Sequence, residues 1–387
     1  MTQPKNADST DFELIENDDQ LKKLTSQLKT ASVVALDTEA DSFHHYRPQV
    51  CLIQVSFDEK TAIVDPLAAI NIAPFLKELS KKELIIHDAG YDLRMLKAGF
   101  GFKPKNGVFD TMLAAALAGL PNVGLSALLE VVAGIKAAKH NQRADWSKRP
   151  LSAHLLQYAA EDTIFLAQIR KYLEAKLRKL GRSDWHTESC RQAVAAADID
   201  KEPTDPDSEW RIKGTGTLSF KVMAFVREVW YWREAIAQKT NIAPFMICRN
   251  ADIIKLANWA ARKKTPIDSA RHLPFRPHIS NQKALLAAVQ TAQKLTPQQW
   301  PGPRKSDPSK RLSKTIRNTV NDLKAECEKI ADELPLSMQW IASRAALTRI
   351  VVDNAATTEQ IQKKKILLRW QANLIFPAIQ KILSGTG

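Results

Sequence analysis

The chain has 387 residues, of which 44% are hydrophobic and 25% charged, enough for two or three packed cores and too apolar for a disordered chain. No stretch approaches the roughly 18 uninterrupted apolar residues of a membrane span, and the acidic first twenty residues lack the basic start of a secretory signal. The four cysteines stand far apart without a CxxC pair, which excludes a disulfide framework and a zinc site. We therefore expect a soluble, cytoplasmic protein with no membrane partner.

The formal net charge of +14 is carried by the second half of the chain. Residues 1–200 contain 25 Lys and Arg against 26 Asp and Glu, a net of −1, whereas residues 201–387 contain 31 against 16, a net of +15. A basic module beside a neutral one is typical of a protein that binds an anion such as a nucleic acid. Charge added for solubility is the alternative.

Strand and helix patterns alternate through the first 200 residues. In chain order we expect a short helix near Lys22, a buried strand at 31–40, and a hairpin of strands 50–57 and 61–65. There follow a helix at 75–79, a strand at 83–87, a helix at 89–98 ended by Gly99, and a segment at 108–120 that begins extended and becomes helical. This order predicts a mixed α/β sheet with helices on its faces.

The second half is predicted to be wholly helical. Residues 198–210 are rich in acids and proline and indicate a linker, and a second linker at 298–311 precedes a helical block that runs to about Leu383. Segments 232–257 and 323–351 share a charged helix, a break at Pro244 or Pro335, and a further helix. This similarity indicates an internal duplication.

Several acids occupy positions that the apolar pattern reserves for hydrophobic residues. Asp37 and Glu39 close the buried run 33–36 and, being two apart on a strand, leave the same face. Asp162 lies in one predicted helix stripe, with Tyr158 four residues earlier on the same face; its other members are Leu155, Ala159, Leu166, Ile169 and Leu173. Buried, neighbouring carboxylates are costly unless a cation compensates them.

A fourth acid comes from the segment 85–96, where Asp88 suits a helix N-cap and Asp92, inside the helix, is the better metal-ligand candidate. Asp37, Glu39, Asp92 and Asp162 form an all-oxygen set suited to Mg²⁺ or Mn²⁺. Two such ions about 3.5–4 Å apart can clamp a phosphodiester for in-line displacement. Tyr158 would orient the attacking water, and a structural tyrosine is the alternative.

Three motifs of this sequence resemble those of the DEDD exonuclease superfamily, tyrosine subclass: DTE (37–39), HDAGYD (87–92) and YAAED (158–162). The position where the histidine subclass places its base is Gln157. Segments 37–56, 109–120 and 143–162 are similar to the ribonuclease D family. The helical block from about Trp210 to Leu295 resembles the HRDC module of that family, and 313–384 resembles a second, more diverged copy.

The resemblance implies a fold and a domain order. It implies an α/β ribonuclease H-like nuclease domain at 10–196, with a mixed sheet flanked by helices, followed by two all-α HRDC-like domains at 211–296 and 313–384. A linker at 197–210 and a basic, proline-rich linker at 297–312 would separate them.

The resemblance also implies an activity, which is stepwise 3′→5′ hydrolysis of RNA with release of nucleoside 5′-monophosphates. In the family, the four acids hold two divalent metal ions and the tyrosine positions the nucleophilic water. Structured RNAs, above all tRNA precursors with 3′ extensions, are the family's usual substrates. A 3′→5′ DNA exonuclease of the same superfamily and a non-catalytic RNA-binding scaffold are the alternatives.

Further residues near the motifs are candidates for substrate contacts, each with a structural alternative. Phe43 and Tyr46 could stack on bases or simply cover the sheet. His87 could touch substrate or be a hydrogen-bonded core histidine. Arg143, Lys148 and Arg149 could guide phosphates or be solvated surface residues. Asp110 is expected to support the site or to cap a helix. The basic stretches 261–278 and 304–317 are the expected backbone-binding surface.

Overall fold

The computed structural model describes residues 11–135, 143–199, 205–269, 271, 273–274, 282–302 and 312–384. Parts of both predicted linkers, 200–204 and 303–311, lie outside the described residues. The chain divides into two compact units. The first contains residues 1–40, 50–199 and 309–387, and the second contains 41–49 and 200–308. The last helical block therefore belongs to the same unit as the α/β domain.

A six-stranded mixed sheet forms the centre of the first unit. Its strands are β1 (Glu13–Ile15), β2 (Val33–Ala40), β3 (Val50–Phe57), β4 (Lys60–Val64), β5 (Glu83–Ile86) and β6 (Val108–Asp110). They lie in the order β1-β4-β3-β2-β5-β6. The pairs β2/β3 and β3/β4 are antiparallel, whereas β1/β4, β2/β5 and β5/β6 are parallel. The predicted hairpin and mixed sheet are confirmed.

In the part of residues 11–199 that the structure describes, eight α-helices surround the sheet: α1 (Asp18–Leu28), α2 (Ala73–Leu79), α3 (Ala89–Phe100), α4 (Thr111–Leu117), α5 (Leu125–Ala133), α6 (Ala153–Ile164), α7 (Leu166–Lys179) and α8 (Ser183–Ala197). Val34 and Leu36 of β2 pack in the cluster that includes α1, α2 and α3. Ala35 points to the opposite face and packs with α4 and α7. Because side chains alternate along a strand, Asp37 and Glu39 leave the same face as Ala35.

Two predicted helix limits were wrong. Helix α3 passes through Gly99 and ends at Phe100, and the C-cap residue Gly101 has a φ of +66°, the left-handed conformation that glycine adopts most readily after a helix. The predicted stripe around Asp162 spans two helices, since α6 and α7 are separated at Phe165. Leu155 and Ala159 consequently belong to a different core cluster from Leu166, Ile169 and Leu173.

The second unit is helical in its described part. Its helices are α9 (Pro206–Glu209), α10 (Phe220–Thr240), α11 (Pro244–Ile247), α12 (Asn250–Ala261) and α13 (Gln282–Lys294). Their buried faces form one apolar cluster, in which Phe225 and Val229 of α10 contact the other helices. The short segment 41–49 packs onto this cluster through Tyr46.

The last helical block comprises α14 (Lys314–Glu333), α15 (Met338–Ile341), α16 (Arg344–Val352), α17 (Thr358–Lys363) and α18 (Arg369–Ile379). Trp370 of α18 stacks on Trp185 of α8, with ring centroids 4.6 Å apart and an angle of 12° between the planes. The Glu188 carboxylate accepts hydrogen bonds from the backbone N–H groups of Arg369 and Trp370. These contacts attach the block to the helices that cover the sheet of the first unit.

The two helical blocks have the same succession of elements. In each, a long helix (α10 or α14) is followed by a four-residue helix (α11 or α15) and then by a third helix (α12 or α16). This is the order that the repeated sequence pattern predicts. Among the described residues, no helix has both the length and the hydropathy required to cross a membrane.

Candidate active site

Three of the four predicted acids converge at the end of β2. Asp37 and Glu39 come from β2 itself, and Asp162 comes from α6, which packs on the same face of the sheet. Each residue offers one carboxylate oxygen, and these oxygens lie within 4.8 Å of one another. The pairing of β2 with β3 shifts register between Glu39 and Ala40, so the regular strand ends directly after the second acid.

Asp92 adjoins this trio from α3. The side chain is buried, and its Oδ1 accepts a hydrogen bond of 2.5 Å from the Thr38 hydroxyl. Thr38 lies between Asp37 and Glu39 on β2, so this bond ties α3 to the strand that carries two of the acids. The charge of Asp37 raises the pKa of Asp92, which places the two carboxyl groups in electrostatic contact. Sequence reasoning did not single out Thr38, since a threonine in a strand gives no signal of its own.

Burial raises the pKa of all four acids above their ordinary range, and their mutual repulsion raises it further. For Asp162 the pKa rises to about 7. In the described part of the chain, no lysine or arginine forms an ion pair with any of the four. A half-buried cluster of repelling carboxylate oxygens fits a hard divalent cation, which supplies the missing positive charge and prefers oxygen ligands.

Tyr158 is hydrogen-bonded to the cluster. Its hydroxyl donates to the Asp162 carboxylate one helical turn later, and this bond lowers the pKa of Asp162 against the effect of burial. The pKa of Tyr158 itself is raised strongly, first by burial and then by the charges of Asp162, Glu39 and Asp37. The phenol is therefore protonated at neutral pH in the metal-free protein. The ring of the buried Trp146 stacks on the Tyr158 ring, and the two ring centroids are 6.3 Å apart.

Asp110 fixes the helix that carries Asp92. Its carboxylate accepts hydrogen bonds from the backbone N–H groups of Met112 and Leu113 at the start of α4, and from that of Ala89 at the start of α3. The predicted helix-cap role is confirmed, and it extends to two helices. Asp88 occupies the N-cap position of α3 as predicted, but its own side chain makes no capping bond.

Four of the predicted substrate contacts, His87, Arg143, Lys148 and Arg149, lie in the first unit. The Nδ1 of His87 is 2.9 Å from the Thr111 hydroxyl, and burial lowers the pKa of His87 to about 4. It is thus neutral at pH 7, as expected of a hydrogen-bonded core histidine. Lys148 is exposed and lies 3.6 Å from Asp145, and Arg143 is also exposed.

Arg149 has a structural role, which corrects its assignment as a phosphate contact. The guanidinium donates to both carboxylate oxygens of Asp65 and to the backbone carbonyls of Cys51, Trp146 and Lys148, at 2.5–2.9 Å. An arginine has five N–H groups, and these five bonds occupy all of them. None is left for a phosphate.

Replacement of Arg149 by Met is expected to lower the free energy of unfolding by about 2–4 kcal/mol, because it leaves the buried Asp65 carboxylate without its partner. Urea titration of the full chain measures this change. Lys148→Met, at an exposed neighbour, serves as the control and should change stability by less than about 0.5 kcal/mol. An unchanged unfolding midpoint together with weaker RNA binding would restore Arg149 to the substrate contacts.

Phe43 and Tyr46 belong to the second unit. The Tyr46 ring packs on the apolar cluster of that unit, and its hydroxyl accepts a hydrogen bond of 3.0 Å from Gln238. Phe43 is 45% exposed. Tyr46 thus packs on a helical core instead of the sheet, and a base-stacking role of Phe43 and Tyr46 stays a prediction.

Comparisons with known proteins agree with this geometry. Residues 12–178 match a family model described as a 3′-5′ exonuclease, a range that includes all four acids and Tyr158. The chain is 30% identical over 295 residues to ribonuclease D of Zymomonas mobilis, covering 74% of each protein. The chain belongs to the ribonuclease D family. It carries a 3′-5′ exonuclease domain and is a nuclease.

Further members of the ribonuclease D family match over more of the chain. Ribonuclease D of Cronobacter turicensis is 26% identical over 385 residues, covering 96% of this chain and 100% of the relative. The crystal structure of Escherichia coli RNase D, an exoribonuclease involved in structured RNA processing, has a TM-score of 0.67 at 24% identity, and the match covers 97% of this chain and 100% of that one. The fold is therefore similar over 97% of this chain.

Proposed function

We propose that this protein is a metal-dependent 3′→5′ exoribonuclease that hydrolyses phosphodiester bonds from RNA 3′ ends and releases nucleoside 5′-monophosphates. The observation that carries the proposal is the convergence of Asp37, Glu39 and Asp162 within 4.8 Å on an exonuclease fold. An acidic cluster without a compensating cation destabilises a folded protein. Metal ions bound for hydrolysis would offset this repulsion and account for the cluster.

The proposed cofactors are two divalent ions, Mg²⁺ or Mn²⁺, held by Asp37, Glu39, Asp92 and Asp162. When bound, such ions activate the attacking water, polarise the phosphate and stabilise the leaving 3′ oxygen. Asp92 is proposed as a ligand because its carboxyl group is in electrostatic contact with Asp37 and is kept in place by Thr38.

The remaining catalytic role falls to Tyr158. Its hydroxyl is held at the cluster by the Asp162 carboxylate, and Trp146 supports its ring from behind. A protonated phenol in this position can donate a hydrogen bond, accept one, and so orient the attacking water for in-line displacement. With its high pKa, Tyr158 acts by positioning the water more than by removing its proton.

We propose tRNA precursors with 3′ extensions as the principal substrates and the cytoplasm as the location. The net charge of +15 in residues 201–387 favours a polyanionic partner, and the four buried cysteines are free thiols, as in a reducing compartment. In this proposal the segments 211–296 and 313–384 are HRDC-like modules that follow the nuclease domain at 10–196, joined by linkers at 197–210 and 297–312.

An assay on matched RNA and DNA oligonucleotides tests the proposal. With Mg²⁺ or Mn²⁺ present, we expect 5′-labelled RNA to shorten stepwise with release of 5′-monophosphates, faster than DNA of the same sequence, and we expect no release with a chelator. A 3′-phosphorylated RNA is the matched control for polarity, because a blocked 3′ end should slow the reaction. Faster DNA degradation would favour the DNA exonuclease alternative, and RNA binding without nucleotide release would favour the scaffold.

A further inference from the structure

A fully buried glutamine on β3 has no hydrogen-bond partner. Gln54 is 0% exposed, and neither its Nε2 nor its Oε1 bonds to any other residue that the structure describes. About nine in ten or more of the buried polar groups in folded proteins are hydrogen-bonded, and an exception calls for an explanation. A glutamine in this position would be replaced by leucine or methionine at no loss if packing were its only role.

Gln54 lies directly opposite Asp37 in the antiparallel pairing of β2 with β3. The Cβ atoms of such opposed residues are about 4.5–5.5 Å apart, and their side chains leave the same face of the sheet. The amide group of Gln54 therefore lies on the same side of the sheet as the Asp37 carboxyl group, although no hydrogen bond joins the two in this structure.

The neighbours of Gln54 on the same face locate its amide beneath α6. Leu52, two residues earlier, packs with Ala159 and Ala160 of α6. Ser56, two residues later, lies 2.7 Å from the Thr163 hydroxyl of α6. Because these two hydroxyls bond to each other, they do not account for the amide of Gln54. The nearest functional group on this face of the opposed strand is the Asp37 carboxyl.

We propose that Gln54 is a positioning residue: its amide N–H, which is unbonded in this structure, would donate to the Asp37 carboxylate when that carboxylate holds a metal ion. Groups that hydrogen-bond to metal ligands orient them, and their loss typically weakens metal binding or activity by about 10–100-fold. This inference rests on the proposed function, since it assigns a role within the same metal site.

The test compares Gln54→Met, which keeps the side-chain volume but removes both polar atoms, with the wild-type full chain. We expect Mn²⁺ binding, measured by calorimetric titration of chelator-stripped protein, to weaken by about 10–100-fold. We expect kcat on an RNA oligonucleotide to fall by a similar factor while KM for RNA stays within threefold. The matched control is Val55→Ala, a fully buried change on the opposite face of β3, which should lower Tm and leave Mn²⁺ affinity unchanged.

A double-mutant cycle with Asp37→Asn separates positioning from packing. If Gln54 acts through Asp37, then Gln54→Met should change Mn²⁺ affinity by less than twofold in the Asp37→Asn background. A folded Gln54→Met protein with wild-type affinity and kcat overturns the inference, and Gln54→Leu or Gln54→Asn gives the same readout if Gln54→Met does not fold. A wild-type protein that releases no nucleotide would instead overturn the proposed function.

Discussion

Asp37→Asn is expected to reduce hydrolysis of RNA by about 10³-fold or more. The change removes one charged ligand from the trio of Asp37, Glu39 and Asp162 without altering side-chain volume. Metal ions contribute several kcal/mol of transition-state stabilisation, and about 1.4 kcal/mol corresponds to a tenfold change in rate. Single-turnover assays at saturating Mg²⁺ measure the loss. The control is Asp184→Asn, the same substitution at an exposed position in the first turn of α8, which should keep wild-type activity.

The same variant is expected to be more stable than the wild type when both are metal-free at pH 8. The pKa of Asp37 is raised in the folded protein by burial and by Asp162, so the folded state binds protons more tightly than the unfolded state does. The contribution of such a group is fully present below its unfolded pKa of about 4 and is lost as pH rises through the folded pKa. Asparagine does not ionise, so the Asp37→Asn variant does not lose this stability as pH rises.

We therefore expect the Tm of metal-free Asp37→Asn to exceed that of the wild type at pH 8, by about 2–4 °C for each kcal/mol of repulsion relieved, and the difference to vanish near pH 4. Mn²⁺ should raise the Tm of the wild type more than that of the variant. Thermal unfolding with and without chelator at the two pH values provides the measurement. Full activity of a folded Asp37→Asn protein, or a lower Tm at pH 8, would contradict the assignment of Asp37 to a repelling metal site.

Local patterns predict much of the first unit because its strands and helices differ in the period of their buried residues. Apolar runs and the alternation of apolar and polar residues located strands β2 to β5. Acids at otherwise apolar positions, at the end of β2 and within α6, indicated the position of the candidate active site. These signals need only a few neighbouring residues, so a single sequence suffices to detect them. The gap at Phe165 escaped detection because no glycine or proline occurs there.

Contacts between distant residues explain what the sequence could not indicate. Arg149 resembles a phosphate ligand until its partners are known, and Asp65 and Cys51 lie 84 and 98 positions away. Tyr46 follows the first motif closely, yet its hydroxyl bonds to Gln238, 192 positions later. The role of Gln54 depends on the register of β2 with β3, which the identities of the residues alone do not specify.

Tyr158→Phe is expected to lower kcat by about 10²-fold or more, with less effect on metal binding. The substitution removes only the hydroxyl, which donates to Asp162 and is positioned to orient the attacking water, and positioned proton-transfer groups typically contribute about 10²–10⁴-fold. The ring, with its support from Trp146, is retained. KM for RNA and the Mn²⁺ dissociation constant should therefore stay within about threefold, which distinguishes this variant from Asp37→Asn.

The matched control for this prediction is Tyr172→Phe, the same change on α7 at a ring that contacts Lys176 and lies outside the site. We expect its kcat, KM and Tm to equal those of the wild type. Calorimetry with Mn²⁺ and steady-state assays on one RNA oligonucleotide compare the two variants directly. If Tyr158→Phe retained wild-type kcat, Tyr158 would be a structural tyrosine that packs α6 against Trp146. If it lost metal binding as well as kcat, the hydroxyl would act by holding Asp162 in place, and another group would have to position the water.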